Sequence, residues 1–200
     1  MPGQRETQAT RREQILEAAY EVALRRGIDG LTVRAVAARA RLSHSLVLFH
    51  FKRKDELGLA LLDRVLAGTL ALALPEEIRH IRKPRERLQA LVRQELQRVA
   101  LEPRRLRLLL EFWTRGGHNA VIRQKIGAGL ERYRTTFQDL IAEMPQGKAS
   151  NRASPAGLAA VAVSLIIGYP VQSMIDPEGL GTEEYLESVG GLLGPSGLAA

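Results

Sequence analysis

The stretch LTVRAVAARARLSHSLVLFHFKRKDEL, residues 31–57, decides the fold of this chain. Its apolar residues recur at spacings of three and four, which is the period of an α-helix. Thr32 and Ser43 each stand directly before such a run, where a hydroxyl group caps the first turn of a helix. The stretch therefore predicts a short helix over residues 33–40 and another from Ser43 to about Phe49, joined by a tight turn.

Two short helices joined in this way form a helix-turn-helix, which places the leading end of its second helix in the major groove of DNA. Here that end carries polar side chains, and basic residues surround it, so the pattern predicts DNA binding through base edges and phosphates. Taken singly, each residue could instead be a helix cap or part of a solvated surface. The prediction of DNA binding rests on all of these residues occurring together in this order. The predicted DNA contacts are Thr32, Arg34, Arg41, Ser43, His44, Ser45, Leu46, Leu48, Phe49, His50 and Lys54.

The rest of the chain also has helical periodicity and almost no strand pattern. Apolar residues from Ile15 to Ala23 mark a first helix, Thr10 with Glu13 fits a capping box before it, and Gly27 ends it. Further helices are predicted from near Lys54, at Pro75, Pro84 and Pro103, over about Asn119 to Met144, from near Pro155, and over about Glu183 to Leu193, with a polar loop over 146–154 and a fraying tail over 194–200.

This order of elements predicts an all-α chain of two domains. Residues 8–68 form a small bundle of three to four helices that contains the helix-turn-helix, and residues 69–200 form a larger helical domain. The helix that begins near Lys54 is expected to join them without a flexible linker, so that motion in one domain reaches the other.

Charge and composition agree with a partner that is a polyanion. Residues 1–60 carry 11 Lys and Arg against 7 Asp and Glu, a net +4; residues 61–110 carry 11 against 6, a net +5; residues 111–200 carry 7 against 9, a net −2. The chain has no cysteine, which excludes disulfides and cysteine-bound metal. No cofactor is expected, and the polar N-terminus does not resemble a secretory signal, so we expect a cytoplasmic protein.

The head resembles the DNA-binding domain of the TetR family of regulators. That resemblance implies a three-helix DNA-binding head over residues 8–68 and a helical domain for effector binding and dimerisation over residues 69–200. The protein would then be a homodimeric regulator, most simply a repressor released from a palindromic operator by a small molecule. Arg41 stands where the family has glycine, and residues 45–48 replace its usual Gly-Thr-Leu-Tyr, so Leu48 lacks the tyrosine hydroxyl that often contacts phosphate. The matching residues are Arg12, Ile15, Leu16, Ala18, Ala19, Gly27, Leu31, Thr32, Val33, Val36, Ala37, Ala40, Leu42, Ser43, His50, Phe51, Lys54 and Leu57.

The second half resembles the betaine-pathway repressor type within this family, through Leu110–Trp113, His118 and Tyr133. Its few aromatic residues either fill the core or line an effector pocket. Glu111 is expected to be exposed, although an inward carboxylate would suit a cationic ligand. The pocket candidates are Phe112, Trp113, His118, Tyr133, Phe137 and Tyr169.

The span from Ala153 to Ile175 has no charged residue and is long enough to cross a membrane. Its small residues and internal Pro170 favour a helix of an intersubunit four-helix bundle instead. The predicted dimer contacts are Ala156, Ala159, Ala160, Val163, Ile167, Leu186 and Val189.

Two other functions are alternatives to regulation by a ligand. Glu77 and His80 have the E-x-x-H spacing of di-iron bundles, but that chemistry needs a second copy, so an enzyme is not expected. A constitutive DNA-binding protein that responds to no ligand is the other alternative, although a body of this size exceeds what dimerisation requires.

Overall fold

A computed structural model describes residues 7–70, 74–144 and 154–192. These residues form helices and no strand, which confirms the all-α prediction. Most of the predicted loop over 146–154 and the tail over 194–200 lie outside the described residues. The helices are α1 (Gln8–Arg26), α2 (Val33–Ala40), α3 (His44–His50), α4 (Lys54–Thr69), α5 (Glu76–Arg79), α6 (Pro84–Leu101), α7 (Pro103–Gly116), α8 (Ala120–Ala142), α9 (Pro155–Ile175) and α10 (Thr182–Leu192).

The caps predicted for the helix-turn-helix are present. The Thr32 hydroxyl accepts a hydrogen bond from the Ala35 amide at 3.1 Å, and the Ser43 hydroxyl accepts one from the Leu46 amide at 3.2 Å. Gly27 ends α1 with φ 69°, a conformation that favours glycine. Local chemistry alone therefore sets these boundaries.

The capping box predicted at Thr10 and Glu13 was wrong. α1 begins earlier, because the Thr7 hydroxyl caps it by accepting a hydrogen bond from the Thr10 amide at 3.2 Å. Glu13 forms an ion pair with Arg64 of α4 instead of reaching back to the helix start. The first turn of α1 is polar, so apolar periodicity could not show where it begins.

The chain divides into two compact units. The head unit comprises Met1–Thr69 and Arg104–Gly127, and the body unit comprises Leu70–Pro103 and Ala128–Ala200. The sequence did not indicate that residues 104–127 group with the head. The helix from Lys54, α4, ends at Thr69, the last residue of the first segment of the head unit, and α7 and α8 each contain residues of both units.

Within the head unit, α1 packs against α2 and α4, and α2 packs against α3. Ile15, Val36, Val47 and Leu61 have no exposed surface, and Phe51 has almost none. Burying one such aliphatic or aromatic side chain contributes roughly 1.5–3 kcal/mol. This core holds the helix-turn-helix against α1.

Within the body unit, α6 packs against α5, α9 and α10. Among the described residues, α9 alone is long and apolar enough to cross a membrane. One side of α9 nevertheless lies in the protein core, where Ala159 and Ile166 have no exposed surface. Its apolar character therefore serves packing on that side.

Candidate nucleic-acid interface

The leading end of α3 presents polar side chains to solvent. Ser43 caps the helix, and its hydroxyl lies 3.3 Å from that of Ser45. Ser43, His44 and Ser45 are all exposed. Because the free amides of a helix N-terminus attract anions, this end of α3 suits phosphate oxygens as well as the polar edges of bases.

The turn between α2 and α3 contains Arg41 in the left-handed backbone conformation, with φ 58° and ψ 42°. Among the described residues it is the only one other than glycine with a positive φ. Its amide donates to the Ala38 carbonyl at 3.3 Å, and the Leu42 amide donates to the Ala37 carbonyl at 2.9 Å, which closes the end of α2. The chain thus places an exposed guanidinium in the turn, where a left-handed conformation disfavours any side chain.

α3 is anchored by one face and leaves an aromatic ring in solvent. Val47 is fully buried, and Leu46 and Leu48 are half-buried. Phe49 is 67% exposed, and its ring meets that of His50 edge to face, with centroids 5.2 Å apart. Phe49 is therefore the apolar side chain of α3 that is most accessible to a thymine methyl group.

Basic side chains flank α3 along the chain. Arg34 is exposed on α2, and Lys52, Arg53 and Lys54 are exposed where the chain enters α4. The predicted DNA contacts all lie in the head unit, within one continuous segment of α2, α3 and the start of α4. Most of these side chains are exposed; the half-buried ones are Leu46, Leu48 and His50.

Two side chains of α1 reach the ends of the helix-turn-helix, a role that the sequence did not indicate. Gln14 Nε2 donates to the carbonyl of Ala40, the last residue of α2, at 3.3 Å. Arg12 Nη1 donates to the carbonyl of His50, the last residue of α3, at 2.8 Å. One indication that Arg12 has a role was present in the sequence, namely its match to the TetR pattern.

Polar side chains of α7 bind other segments of the head unit. Glu111 is half-buried rather than exposed, which corrects the expectation, and its Oε2 accepts a hydrogen bond from the Ile28 amide at 2.7 Å. Arg105 Nε donates to the Tyr20 hydroxyl at 2.7 Å, and its Nη1 donates to the Gly68 carbonyl at 3.1 Å. These hydrogen-bonded pairs are far apart in the sequence, so no local sequence pattern predicts them.

A cleft of about 390 Å³ opens in the head unit beside Glu111. Side chains of both charges line it, and Arg115 forms an ion pair with Asp29 there. None of the predicted pocket aromatics lines this cleft. Its lining residues are Arg26, Gly27, Asp29, Glu111, Thr114 and Arg115.

The predicted pocket residues do not belong to one unit. Phe112, Trp113 and His118 lie in the head unit, where they are buried, half-buried and exposed, respectively. The other three candidates lie in the body unit: Tyr133, Phe137 and Tyr169.

In the body unit, Tyr133 takes part in a buried polar network. Its hydroxyl donates to Glu95 Oε2 at 2.7 Å, and Arg98 Nε donates to the two Glu95 oxygens at 3.0 and 3.1 Å. Burial, together with the neighbouring Glu95 carboxylate, raises the pKa of Tyr133 well above its usual range. The ring of Tyr133 meets Phe137 edge to face at 5.4 Å. The sequence signal that was missed is a glutamate at a core position of the α6 apolar stripe.

Tyr169 packs against a second aromatic residue rather than standing alone. Its ring stacks on Tyr185, with centroids 4.3 Å apart. Its hydroxyl donates to the Leu180 carbonyl at 3.0 Å. One face of the ring and the hydroxyl are thus engaged within the body unit.

The predicted dimer contacts differ in exposure. Ala159, Val163, Leu186 and Val189 are buried within their own chain, so their side chains pack in the core of the single chain. Periodicity identified apolar faces of α9 and α10 but not which face turns inward. The other three are half-buried or exposed: Ala156, Ala160 and Ile167.

Two family models match the chain. One, described as bacterial regulatory proteins, tetR family, matches residues 15–61; the other, described as BetI-type transcriptional repressor, C-terminal, matches residues 84–193. The second match spans more than half of the chain. The chain belongs to the TetR family. Its helix-turn-helix is therefore the DNA-binding element of a transcriptional regulator, and the family is not one of enzymes.

Individual transcriptional regulators are similar over nearly the whole chain. An uncharacterised HTH-type regulator in the dhlA 5′ region of Xanthobacter autotrophicus is 32% identical over 180 residues, 88% of this chain and 85% of that protein. A regulator from Saccharomonospora viridis in complex with choline has a TM-score of 0.73 at 22% identity, covering 94% and 97% of the two chains. FadR of Bacillus subtilis in complex with stearoyl-CoA has a TM-score of 0.71 at 19% identity, covering 92% and 98%. The two structures establish a shared fold.

Proposed function

We propose that this TetR-family regulator is a cytoplasmic homodimeric repressor that binds a near-palindromic operator and is released from it by a small-molecule effector. The observation that carries DNA binding is the exposed polar end of α3, with Arg41 before it and the basic residues 52–54 after it. In a dimer the two α3 helices would enter successive major grooves, about 34–36 Å apart or somewhat more.

The exposed side of α9 supports a dimer. Gly157, Val161, Ser164 and Gln172 are exposed and recur at helical spacing, with the half-buried Gly168 between the last two. Small residues in such a stripe allow two helices to approach closely. We place the contact with a second copy here, on the side of α9 opposite its buried face.

The ligands bound by two proteins of similar fold support the proposal that this chain has an effector, but they do not identify it. The names of the two solved relatives give choline for one and stearoyl-CoA for the other, a small cation and a long acyl thioester. One fold therefore accommodates very different ligands, and effector chemistry depends on the residues of each body. We propose that residues of the C-terminal half bind the effector of this chain.

Selection of bound DNA from a random pool tests the DNA-binding proposal. We expect the full-length protein to enrich one near-palindromic sequence, and a purified duplex of that sequence to bind it tightly. Release is then measured by titrating choline, stearoyl-CoA and a wider metabolite panel. Failure to enrich any sequence would overturn operator binding, whereas enrichment without release by any compound would overturn induction.

His44 and Lys54 are expected to make different kinds of contact. Lys54→Ala should weaken binding to all sequences and reduce the slope of log K against log salt by about 0.9, because one phosphate contact is lost. His44→Ala should instead change sequence preference, which a panel of operator variants measures. An unchanged preference would show that His44 does not read bases.

A regulator that binds DNA constitutively is the second candidate function. It is favoured by the packing of the body unit, where Tyr133 and Phe137 are almost fully buried and the Glu95 carboxylate already accepts hydrogen bonds from two partners. The ligand titration above separates the two candidates, since a constitutive regulator keeps its operator affinity with every compound.

A further inference from the structure

We infer that Arg12 of α1 is a positioning residue for the recognition helix α3, and that it sets operator specificity without itself contacting DNA. The inference rests on the proposed DNA-binding function. Arg12 lies outside the helix-turn-helix and is not one of the predicted DNA contacts.

Arg12 contacts the C-terminal end of α3 in two ways and the start of α4 in a third. Its Nη1 donates to the His50 carbonyl at 2.8 Å. Its guanidinium carbon lies 4.0 Å from the centroid of the Phe51 ring, the C-cap of α3. A third contact, to the Glu56 carboxylate at 3.6 Å, extends to α4. A cation at this end of a helix is favourable because the last carbonyls are unpaired and the helix dipole is negative there.

Glu56 connects the same cluster to the turn after α3. Its Oε2 accepts a hydrogen bond from the Lys52 amide at 3.1 Å, while its Oε1 pairs with Arg12. One guanidinium therefore fixes the last residue of α3, its cap and the turn into α4. The contact of Gln14 with Ala40 plays a parallel part at the end of α2.

The orientation of α3 depends on such contacts because the helix itself is short and shallowly packed. α3 has seven residues, and Val47 is the only one of them that is buried. Isolated helices of this length are marginal in water. One buried side chain fixes the position of the helix poorly against rotation about that point, so contacts at its two ends determine its tilt.

The geometry also distinguishes positioning from phosphate binding. The Arg12 guanidinium has one edge on a carbonyl, one face on an aromatic ring and a carboxylate nearby. The Nη1 atom already donates to the His50 carbonyl and lies 3.6 Å from the Glu56 carboxylate, so a phosphate would have to compete with both for that edge of the guanidinium. Loss of Arg12 should therefore loosen α3 without removing a counterion-releasing contact.

The experiment compares Arg12→Ala and Arg12→Lys with the wild type on the selected operator and on an unrelated duplex, across a salt series. Arg25→Ala is the matched control, since Arg25 is an exposed arginine at the opposite end of α1. Lys54→Ala provides the reference for loss of a phosphate contact. Helix content by circular dichroism and the active fraction by stoichiometric titration are measured for each variant.

For Arg12→Ala we expect operator affinity to fall about tenfold, affinity for the unrelated duplex to stay within about twofold, and the salt slope to match that of the wild type. Arg12→Lys keeps the positive charge and can still donate hydrogen bonds but loses the planar fork, so it should recover only part of the specificity. If Arg12→Ala does not fold, Arg12→Lys provides the test. A lower ratio of operator affinity to affinity for the unrelated duplex in that variant supports the positioning role.

Three outcomes would overturn the inference. Equal losses on both duplexes, with a salt slope reduced by about 0.9, would make Arg12 a phosphate contact. Unchanged affinities for the active fraction, with lower thermal stability, would make its role purely structural. A loss in Arg25→Ala equal to that in Arg12→Ala would make the effect one of overall charge. Absence of any operator binding by the wild type would instead refute the proposed function.

Discussion

At the scale of single residues, Arg41 shows a conflict between backbone conformation and surface charge. Its φ of 58° is a conformation that glycine adopts freely and that costs other residues roughly 1–2 kcal/mol. The hydrogen bonds that close the end of α2 are made by backbone amides, so they do not require the arginine side chain. Folding therefore does not require the exposed guanidinium, and its contact with DNA stays a prediction.

Arg41→Gly should therefore separate stability from DNA affinity. We expect the free energy of unfolding in urea to rise by about 0.5–1 kcal/mol, because the steric strain exceeds the entropy that glycine adds to the unfolded chain. Operator affinity should fall, with a salt slope smaller by about 0.9. Arg41→Asn, which tolerates the same conformation without charge, is the control and should show the same loss of affinity. An unchanged salt slope in both variants would contradict a phosphate contact.

Tyr133 gives a prediction for stability and its pH dependence. Tyr133→Phe should cost about 1–3 kcal/mol, because the buried Glu95 carboxylate loses a donor. Burial raises the pKa of Tyr133 in the folded protein, so its contribution is complete below the unfolded pKa of about 10 and is lost as pH rises above that value. Urea unfolding between about pH 8 and 11 should show a steeper loss of stability in the wild type than in the variant. Parallel pH profiles would contradict this.

At the scale of helices, local chemistry explains the boundaries that the sequence predicted. Thr32 and Ser43 cap α2 and α3, and Gly27 ends α1, because each acts through atoms only a few residues away. The error at Thr10 arose where two threonines at positions 7 and 10 competed for one cap. Gly27 is also the only described glycine with a positive φ, so its substitution has an effect beyond helix propensity.

Glycines in α8 and at the end of α1 should respond oppositely to alanine. Gly127→Ala should raise the free energy of unfolding by about 0.5–1 kcal/mol, since an added Cβ meets no atom within 4 Å. Gly27→Ala should lower it by more than about 1 kcal/mol, because φ is 69° and the Cβ would lie 2.9 Å from a Glu111 oxygen. Urea midpoints at constant m-value measure both changes. A stable Gly27→Ala variant would contradict the tight fit at Glu111.

At the scale of the whole molecule, residues 104–127 group with the head unit, which also contains the helix-turn-helix. Arg105, Glu111 and Lys125 all bind residues of the first 69 positions, and Lys125 Nζ lies 2.8 Å from Asp63 Oδ1. The head unit is therefore assembled from segments far apart in the sequence. A fragment limited to residues 8–68 would lack these contacts.

The proposed dimer is tested on the exposed stripe of α9. Val161 is about half exposed, so Val161→Arg should leave the single chain folded but place a charge in the contact between copies. We expect a monomer by analytical ultracentrifugation and an operator affinity at least about 100-fold lower, because two linked heads bind with a high effective concentration. Gln138→Arg, at an exposed position of α8, is the control. A Val161→Arg variant that remains dimeric would move the contact elsewhere.

By itself the sequence determined the helices, the helix-turn-helix and the family, because caps, glycine conformations and apolar spacing act within one or two turns. Only the tertiary structure decided which faces of α9 and α10 turn inward, that Glu111 binds the Ile28 amide, and that Glu95 is a buried partner of Tyr133. The hydrogen bonds among these contacts join residues far apart in the chain, 83 positions for Ile28 and Glu111 and 38 for Glu95 and Tyr133. No local pattern encodes them, since a side chain finds such a partner only when packing brings two distant helices together.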